Sequence, residues 1–225
     1  MKRNCSLAIM ALIAVMQISC STLVLQGRVA QIFGKDIFMS DLNPNDDELK
    51  IVKQSYPNLS DEEALTKARS EKLSSLIWTP IMAEFAKTHD VEPTEEEIQG
   101  LAKSMKAMKA DLPAEVAKNT PQISAEMERE IYQPFVKNWK ISKALHGEYG
   151  GTVIFQQANP LEPVGAYRKL LESHEAKGDF KIYDEKLKQQ FWEYYVREHP
   201  FQVPQNLIDY SQPWWLQIPT SDAAK

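Results

Sequence analysis

The chain has 225 residues, enough to bury a core in one large or two small domains, and its 43% hydrophobic and 25% charged residues are those of an ordinary soluble globular protein. The formal net charge of −5 at pH 7 argues against nucleic acid as a partner and against electrostatic docking on anionic lipid.

Lys2 and Arg3 precede an apolar run from Leu7 to Met16, and the small residues Ser19, Cys20 and Ser21 follow. These are the three regions of a secretory signal, and the run is too short to span a bilayer comfortably. Residues 1–21 are therefore expected to be a signal peptide, with cleavage falling within 19–21. Two processings fit. A small-x-small site is cut after Ser21, or Gln17-Ile18-Ser19-Cys20 serves as a bacterial lipobox and Cys20 becomes the lipidated first residue, with Gln17 where that motif usually has Leu. Either removes Cys5 and leaves no cysteine in the folded part, so neither a disulfide framework nor thiol catalysis is expected. Without Lys2 and Arg3 the basic residues number 24 against 31 acidic, a mature net charge of −7. The expected location is the periplasm of a bacterium, with a membrane anchor if Cys20 is lipidated and no transmembrane span in the mature chain.

From Val29 to Met39 the pattern predicts a small hairpin turning at Gly34-Lys35 in a type II′ connection. A short helix follows near Asp46 to Gln54 and breaks at Tyr56-Pro57-Asn58-Leu59. Ser60-Asp61-Glu62-Glu63 is a capping box, which satisfies two orphan N–H groups reciprocally. It opens a helix whose stripe is Leu73, Ile77, Ile81 and Phe85. Thr94-Glu95-Glu96-Glu97 repeats the box, and Ile98, Leu101, Ala102, Met105 and Met108 follow on one face. Asp111-Leu112-Pro113 and Asn119-Thr120-Pro121 mark a broken connection. A second long helix runs from Ser124 to Leu145, with Met127, Ile131, Phe135 and Trp139 every fourth residue. Pro80 and Pro134 interrupt the two long helices, each at a cost of about 3 kcal/mol, and are expected to kink them around either a cleft or a core.

Gly147–Gly151 ends the second long helix, and Thr152–Phe155 reads as a strand that pairs with the N-terminal hairpin. Glu162-Pro163 opens a helix closed by Gly178, with Val164, Tyr167, Leu170, Leu171 and His174 on its apolar face. A further helix starts at Asp184 and carries Leu187, Phe191, Tyr194 and Tyr195. Beyond His199-Pro200 the chain is Pro-punctuated and aromatic: Pro204, Pro213, Trp214, Trp215 and Pro219. The expected fold is mainly α with a β-hairpin or short sheet.

The catalytic inventory is thin. His89, His146, His174 and His199 lie far apart and mostly near helix ends, without the H-E-x-x-H spacing that would put two ligands on one helical face. Gly150-Gly151-Thr152 precedes a strand rather than a helix, so it is no phosphate cradle, and no G-x-S-x-G elbow is present. The acidic clusters sit in first helical turns, where the dipole favours them. No catalytic residue, metal ligand or cofactor site is assigned. What is abundant is adaptable apolar surface. Met repacks at low cost and suits grooves that accept varied apolar peptides. The candidate peptide-binding residues are Trp78, Met82, Phe85, Met105, Met108, Phe135 and Trp139, some of which must also serve the core.

Val29-Ala30-Gln31-Ile32-Phe33-Gly34-Lys35-Asp36-Ile37 is similar to the "V-A-x-V-N-G-x-x-I" hairpin of a known module, and Ser40-Asp41-Leu42 follows it. Leu73 to Phe85 is similar to that module's "x-L-I-x-x-x-L-x-x-x-A" helix. His89-Asp90-Val91-Glu92-Pro93-Thr94-Glu95-Glu96-Glu97 matches "x-G-I-x-V-T-x-E-E-I". On these residues the chain resembles the N-terminal chaperone module of SurA-like, parvulin-type peptidyl-prolyl isomerases over about Val29 to Met108. The resemblance implies a helical module (28–146) that cradles unfolded polypeptide, closed by the strand and helices of 147–199 and followed by a Pro- and Trp-containing tail (200–225). The parvulin Gly-Gly-x-Leu-Gly segment is not matched by Gly150-Gly151-Thr152-Val153-Ile154, so isomerase activity follows by family association only. The expected function is an exported, ATP-independent chaperone whose partners are unfolded or outer-membrane-type polypeptides. The alternative is a lipid-anchored or soluble structural subunit that grips one fixed partner with the same module.

Overall fold

The computed structural model describes residues 27–110, 123–157 and 159–217. The expected leader with Cys5 and Cys20, the broken connection at Asp111–Pro113 and Asn119–Pro121, and Pro219 lie outside the described residues. In chain order the elements are β1 (Arg28–Ile32), β2 (Lys35–Phe38), α1 (Asp46–Ser55), α2 (Asp61–Thr88), α3 (Glu95–Ala110), α4 (Ala125–Tyr149), α5 (Val164–Lys177), β3 (Phe180–Ile182), α6 (Glu185–Val196) and the short α7 (Trp214–Gln217). The protein is thus mainly helical among the described residues, with one three-stranded antiparallel sheet. The chain divides into two units. Unit 1 takes the residues up to Thr79 together with His174–Tyr194, and unit 2 takes Pro80–Ser173 with the residues from Tyr195 on.

The sheet belongs to unit 1, with β1 central and β2 and β3 on either side. The hairpin is present, but it turns one residue earlier than expected. Ile32 pairs with Lys35, so the two loop residues are Phe33 and Gly34, at φ 48° and 77°. Positive φ at both positions is the type I′ pattern and not II′. The left-handed conformation costs Phe33 about 1–2 kcal/mol. Its N–H donates to the Asp179 carbonyl at 2.6 Å, just before β3, which offsets that strain. The third strand is a second correction. Thr152–Phe155 does not join the hairpin; Phe180 and Ile182 do, both buried, with Lys181 exposed between them.

Unit 1 helices start on satisfied caps. The Asn45 N–H donates to Glu48 Oε2 at 2.7 Å and the Glu48 N–H to Asn45 Oδ1 at 2.8 Å, which opens α1. The box expected at Ser60 opens α2, with the Ser60 N–H donating to Glu63 Oε2 at 2.8 Å and the Glu63 N–H to Ser60 Oγ at 3.3 Å. Ala64 and Ala68 pack against Val52 of α1, and Phe180 meets Phe191 of α6 edge-on at 5.7 Å. The expected stripe of α2 is buried throughout, at Leu73, Ile77, Ile81 and Phe85. Helix α2 runs on through Pro80, and α4 through Pro134. Each proline frees the carbonyl four residues back, at Leu76 and Glu130. All four residues are exposed, so water can take the freed carbonyls.

Unit 2 is built on α3 and α4. The second expected box caps α3: the Thr94 N–H donates to Glu97 Oε2 at 2.7 Å and the Glu97 N–H to Thr94 Oγ1 at 3.2 Å. Ser124 caps α4 by accepting from the Met127 N–H. Between the helices Ile98, Leu101, Val136, Trp139 and Trp215 form one buried cluster, with Met105, Tyr132 and Trp214 packed against it. Trp215 lies in the segment expected to be a tail, and α7 seats it in the core, T-shaped to Trp139 at 5.6 Å. The expected stripe of α4 is corrected. Met127, Ile131 and Phe135 are 48%, 41% and 41% exposed, and the buried face is Val136, Trp139, Ile141, Ser142 and Leu145. A strict fourth-residue row drifts about 40° round a helix at each step, so its two ends need not share a face.

The β-branched run is used inside unit 2. The Thr152 carbonyl accepts from the Gly165 N–H at 2.9 Å, and the Val153 carbonyl from the Val203 N–H at 2.8 Å. Ile154 exchanges two bonds of 2.9 Å with Glu162, and the Phe155 N–H donates to the Phe201 carbonyl at 2.8 Å. Gly165, in the first turn of α5, lies so close that a Cβ there would be 2.3 Å from Thr152 N. The expected apolar face of α5 (Val164, Tyr167, Leu170, Leu171 and His174) is buried.

Two glycine substitutions should therefore separate. Gly165→Ala is expected to lower stability by about 3 kcal/mol or more, since backbone would have to move to admit the methyl group. Gly147→Ala, inside α4 with nothing within 4 Å of the added carbon, should raise it by about 0.5–1 kcal/mol. Urea unfolding of both variants checks the pair.

Candidate functional site

Among the described residues no group of three or more His, Cys, Asp or Glu is placed to hold a metal ion, and no helix is long and apolar enough to cross a membrane. The histidines have separate partners and surroundings. His89 stacks on Phe85 at 3.8 Å. His174, buried, has Nδ1 2.7 Å from Asp179 Oδ2. The His146 ring lies against Tyr210 at 5.0 Å, and its buried Nε2 has no hydrogen-bond partner among the described residues. Burial holds His146 below its ordinary value of 6.5. His199 is buried. Unit 2 also encloses a polar knot in which Ser142 Oγ meets Tyr167 Oη at 3.3 Å and accepts from Asn159 Nδ2 at 3.2 Å. Burial pushes Tyr167 up to about 12, so its hydroxyl stays protonated and acts as a structural donor or acceptor.

Clefts indent both units among the described residues. One of about 620 Å³ in unit 1 is lined by Ser60, Glu62, Glu63, Lys67 and Lys186, which makes it mostly the outer side of the α2 cap. One of about 320 Å³ in unit 2 holds Arg168, Lys169 and Arg197, with Glu172 beside them. Arg168 donates to Glu172 at 2.7 Å, and Lys169 donates to the Tyr149 carbonyl at 2.6 Å. Another, about 450 Å³, differs in having an apolar floor of Met82, Ala83, Ala86 and Ile141. Its rim is charged: Lys87, Asp90, Glu92 and Lys137.

The position of that groove follows from how α2 ends. Helix α2 stops at Thr88, and Asp90 takes a left-handed φ of 48° that turns the chain back. His89 fixes the turn, with Nδ1 2.8 Å from the Phe85 carbonyl and Nε2 2.8 Å from Glu148 Oε2 on α4. Lys140 of α4 donates to the Glu92 carbonyl at 2.7 Å and to Glu97 Oε2 at 3.1 Å, and Lys137 pairs with the Glu92 carboxylate. Three side chains of one helix therefore hold the loop that forms one lip of the groove.

The seven sequence-derived candidates do not converge on one site. Met82 lines the groove, and Phe85 lies buried under the His89 ring. Met105 and Trp139 meet in the α3–α4 cluster, where Trp139 is core. Met108 and Phe135 are exposed, and Trp78 is half-buried and belongs to unit 1. Ala86 and Ile141 of the groove, and Met127 and Ile131 on the exposed side of α4, were not among the candidates. The signal for the last two was available, because they share a fourth-residue row with Phe135. Helix α4 is thus apolar on a side that is exposed in its N-terminal half, at Met127, Ile131 and Phe135, and buried further along, at Ile141, Ser142 and Leu145.

Glu97 supplies a pH test of the groove lip. Burial raises its pKa, but the Thr94 N–H and the Lys140 ammonium outweigh that and hold the carboxyl below its ordinary 4.5. The stability this carboxylate confers is fully present above about 4.5 and lost as the pH falls through the lowered native value. Glu97→Gln should be less stable than the parent at pH 7, and the difference should shrink steadily once the pH drops below 4.5. Urea titrations of both proteins at a series of pH values read this directly.

No protein-family model, no curated protein and no solved structure matches the chain.

Proposed function

We propose that the protein is an exported, chaperone-like factor that holds unfolded or apolar polypeptide segments on unit 2, without ATP and without proline isomerisation. The observation that carries this reading is the exposed apolar row in the N-terminal half of α4. Met127, Ile131 and Phe135 recur there every fourth residue and are 48%, 41% and 41% exposed, while the packing of α4 inside its unit is made by Val136, Trp139, Ile141 and Leu145. Contiguous exposed apolar surface of this kind is characteristic of interaction sites. Support also comes from the groove of Met82, Ala86 and Ile141, whose thioether and charged rim suit varied apolar segments. The resemblance to the SurA-like module points the same way, and the leader expected in residues 1–21 would place the protein in the envelope, with Cys20 as its lipid acceptor in one processing.

The physics sets the strength. Each of the three exposed side chains is about half accessible, so covering it is worth roughly 1 kcal/mol. A site of that kind binds weakly and lets go, as a holding factor must. Because the contacts are apolar, affinity should fall only modestly with added salt.

The expected outcome is that the mature chain, in several-fold excess, slows the rise in light scattering when an unfolded outer-membrane-type β-barrel protein is diluted into buffer. The double variant Ile131→Asp and Phe135→Asp should lose most of that protection. Its stability should stay within about 0.5 kcal/mol per site, since both positions are exposed. Unchanged scattering with the unmutated chain would overturn the reading in favour of a subunit that grips one fixed partner. A catalytic rate in a prolyl-peptide assay run alongside would overturn the exclusion of isomerase activity.

A further inference from the structure

Between α3 and α4 of unit 2, Ile98, Leu101, Val136 and Trp139 wall a groove, distinct from the Met82 cleft, that a side chain of the C-terminal segment fills. Trp215 is 2% exposed among Ile98, Leu101, Val136 and Trp139, while its neighbour Leu216 is 55% exposed and Trp214 only partly buried. A single large aromatic side chain therefore enters the groove from a helix of four residues.

Two observations set this occupant apart from ordinary core. First, Val203 makes the last main-chain hydrogen bond that ties the segment to the rest of unit 2. Among the described residues, the backbone bonds made by 204–217 stay within the segment, as in Leu207 N–H to Pro204, Ile208 N–H to Gln205 and Leu216 N–H to Pro213. What holds it outwardly is side chains: Trp215 itself, the Tyr210 ring against His146, and the Tyr210 hydroxyl donating to the Leu161 carbonyl at 2.6 Å. Such a segment can leave without breaking any backbone ladder. Second, the groove wall is not satisfied by its occupant. The indole N–H of Trp139, 5% exposed and T-shaped to Trp215, has no acceptor among the described residues. A buried donor left unpaired costs free energy that a different occupant bringing a carbonyl would recover.

We infer that Trp214–Gln217 is a displaceable plug, and that the α3–α4 groove is a binding site for a polypeptide segment that presents one large aromatic side chain together with a backbone carbonyl for Trp139 Nε1. This rests on the reading of unit 2 as a polypeptide holder and names what this groove takes. The plug sets the apparent affinity, because only the fraction of molecules with Trp215 withdrawn is competent to bind.

The test uses the mature chain and a fluorophore-labelled synthetic peptide of residues 208–217, followed by fluorescence anisotropy. Trp215→Ala in the protein empties the groove and should bind the peptide at least tenfold more tightly than the unmutated protein does. A control peptide with the same Trp215→Ala change should not bind. Tyr210→Phe, which removes the Leu161 anchor and leaves Trp215 in place, should fall between the two and serves as the second variant if Trp215→Ala fails to fold by circular dichroism. Equal binding by all three proteins, or none to a folded Trp215→Ala chain, would overturn the inference. Run through the scattering assay, Trp215→Ala should protect the unfolded barrel better than the parent. Peptide binding without protection would sink the holding function and leave the plug standing, and protection without peptide binding would do the reverse.

Discussion

Five consecutive residues, Gly151–Phe155, hold unit 2 together through their main chain. The last four are bonded alternately to two stretches: Thr152 and Ile154 to Gly165 and Glu162 at the start of α5, and Val153 and Phe155 to Val203 and Phe201. At roughly 1 kcal/mol net per bond, these contacts amount to an appreciable part of a domain's usual stability. They depend on Gly165 having no side chain, because only then can the first turn of α5 reach Thr152. The same five residues follow α4 after its capping Gly150, so they fix where that helix ends and hence where its exposed apolar row and its lysines stand. They also end the main-chain attachment of the C-terminal segment at Val203, which is why α7 depends on side chains alone.

Parts of this architecture that depend on local chemistry were legible in the sequence. The Ser60 and Thr94 boxes are found with both reciprocal bonds, because a cap is completed within four residues and needs nothing from elsewhere. The stripes were legible only where burial is broad. On α2 a fourth-residue row from Leu73 to Phe85 drifts through about 120° and stays covered, whereas on α4 the equal drift from Met127 to Trp139 carries the row from solvent into core. Both rows are wholly apolar; the difference is what lies alongside. The turn at Phe33-Gly34 departs from the sequence expectation for a similar reason. Placing the glycine first avoids a strained Phe, and only the bond to Asp179, a residue far along the chain, makes the strained choice acceptable. Likewise nothing in Thr152–Phe155 says which of two partners a β-branched run will meet, while the alternation of Phe180, Lys181 and Ile182 is a short but readable strand signature.

The candidate site was legible in its residue types more than in its geometry. Met and aromatic residues were the right material, yet Phe85 and Trp139 are core, and the floor of the groove includes two alanines that no compositional signal would select. Small residues matter there because they leave the volume that a larger side chain from elsewhere can fill. Trp215 illustrates the opposite case. A tryptophan pair in a Pro-punctuated stretch looks like loose tail, but so much apolar area cannot stay in water without cost, and the structure gives it a pocket.

The central strand of unit 1 has its two partners at very different distances along the chain. β2 follows β1 at once, while β3 arrives about 150 residues later, after the Pro80–Ser173 part of unit 2 has been laid down. At about 5–20 residues per second of synthesis, the wait is on the order of ten to thirty seconds. Throughout that interval one edge of Arg28–Ile32 offers unpaired N–H and C=O groups to whatever meets it. Completion of the sheet is therefore a late event, and a chain interrupted before Phe180 keeps a sticky strand where the finished protein has a closed one.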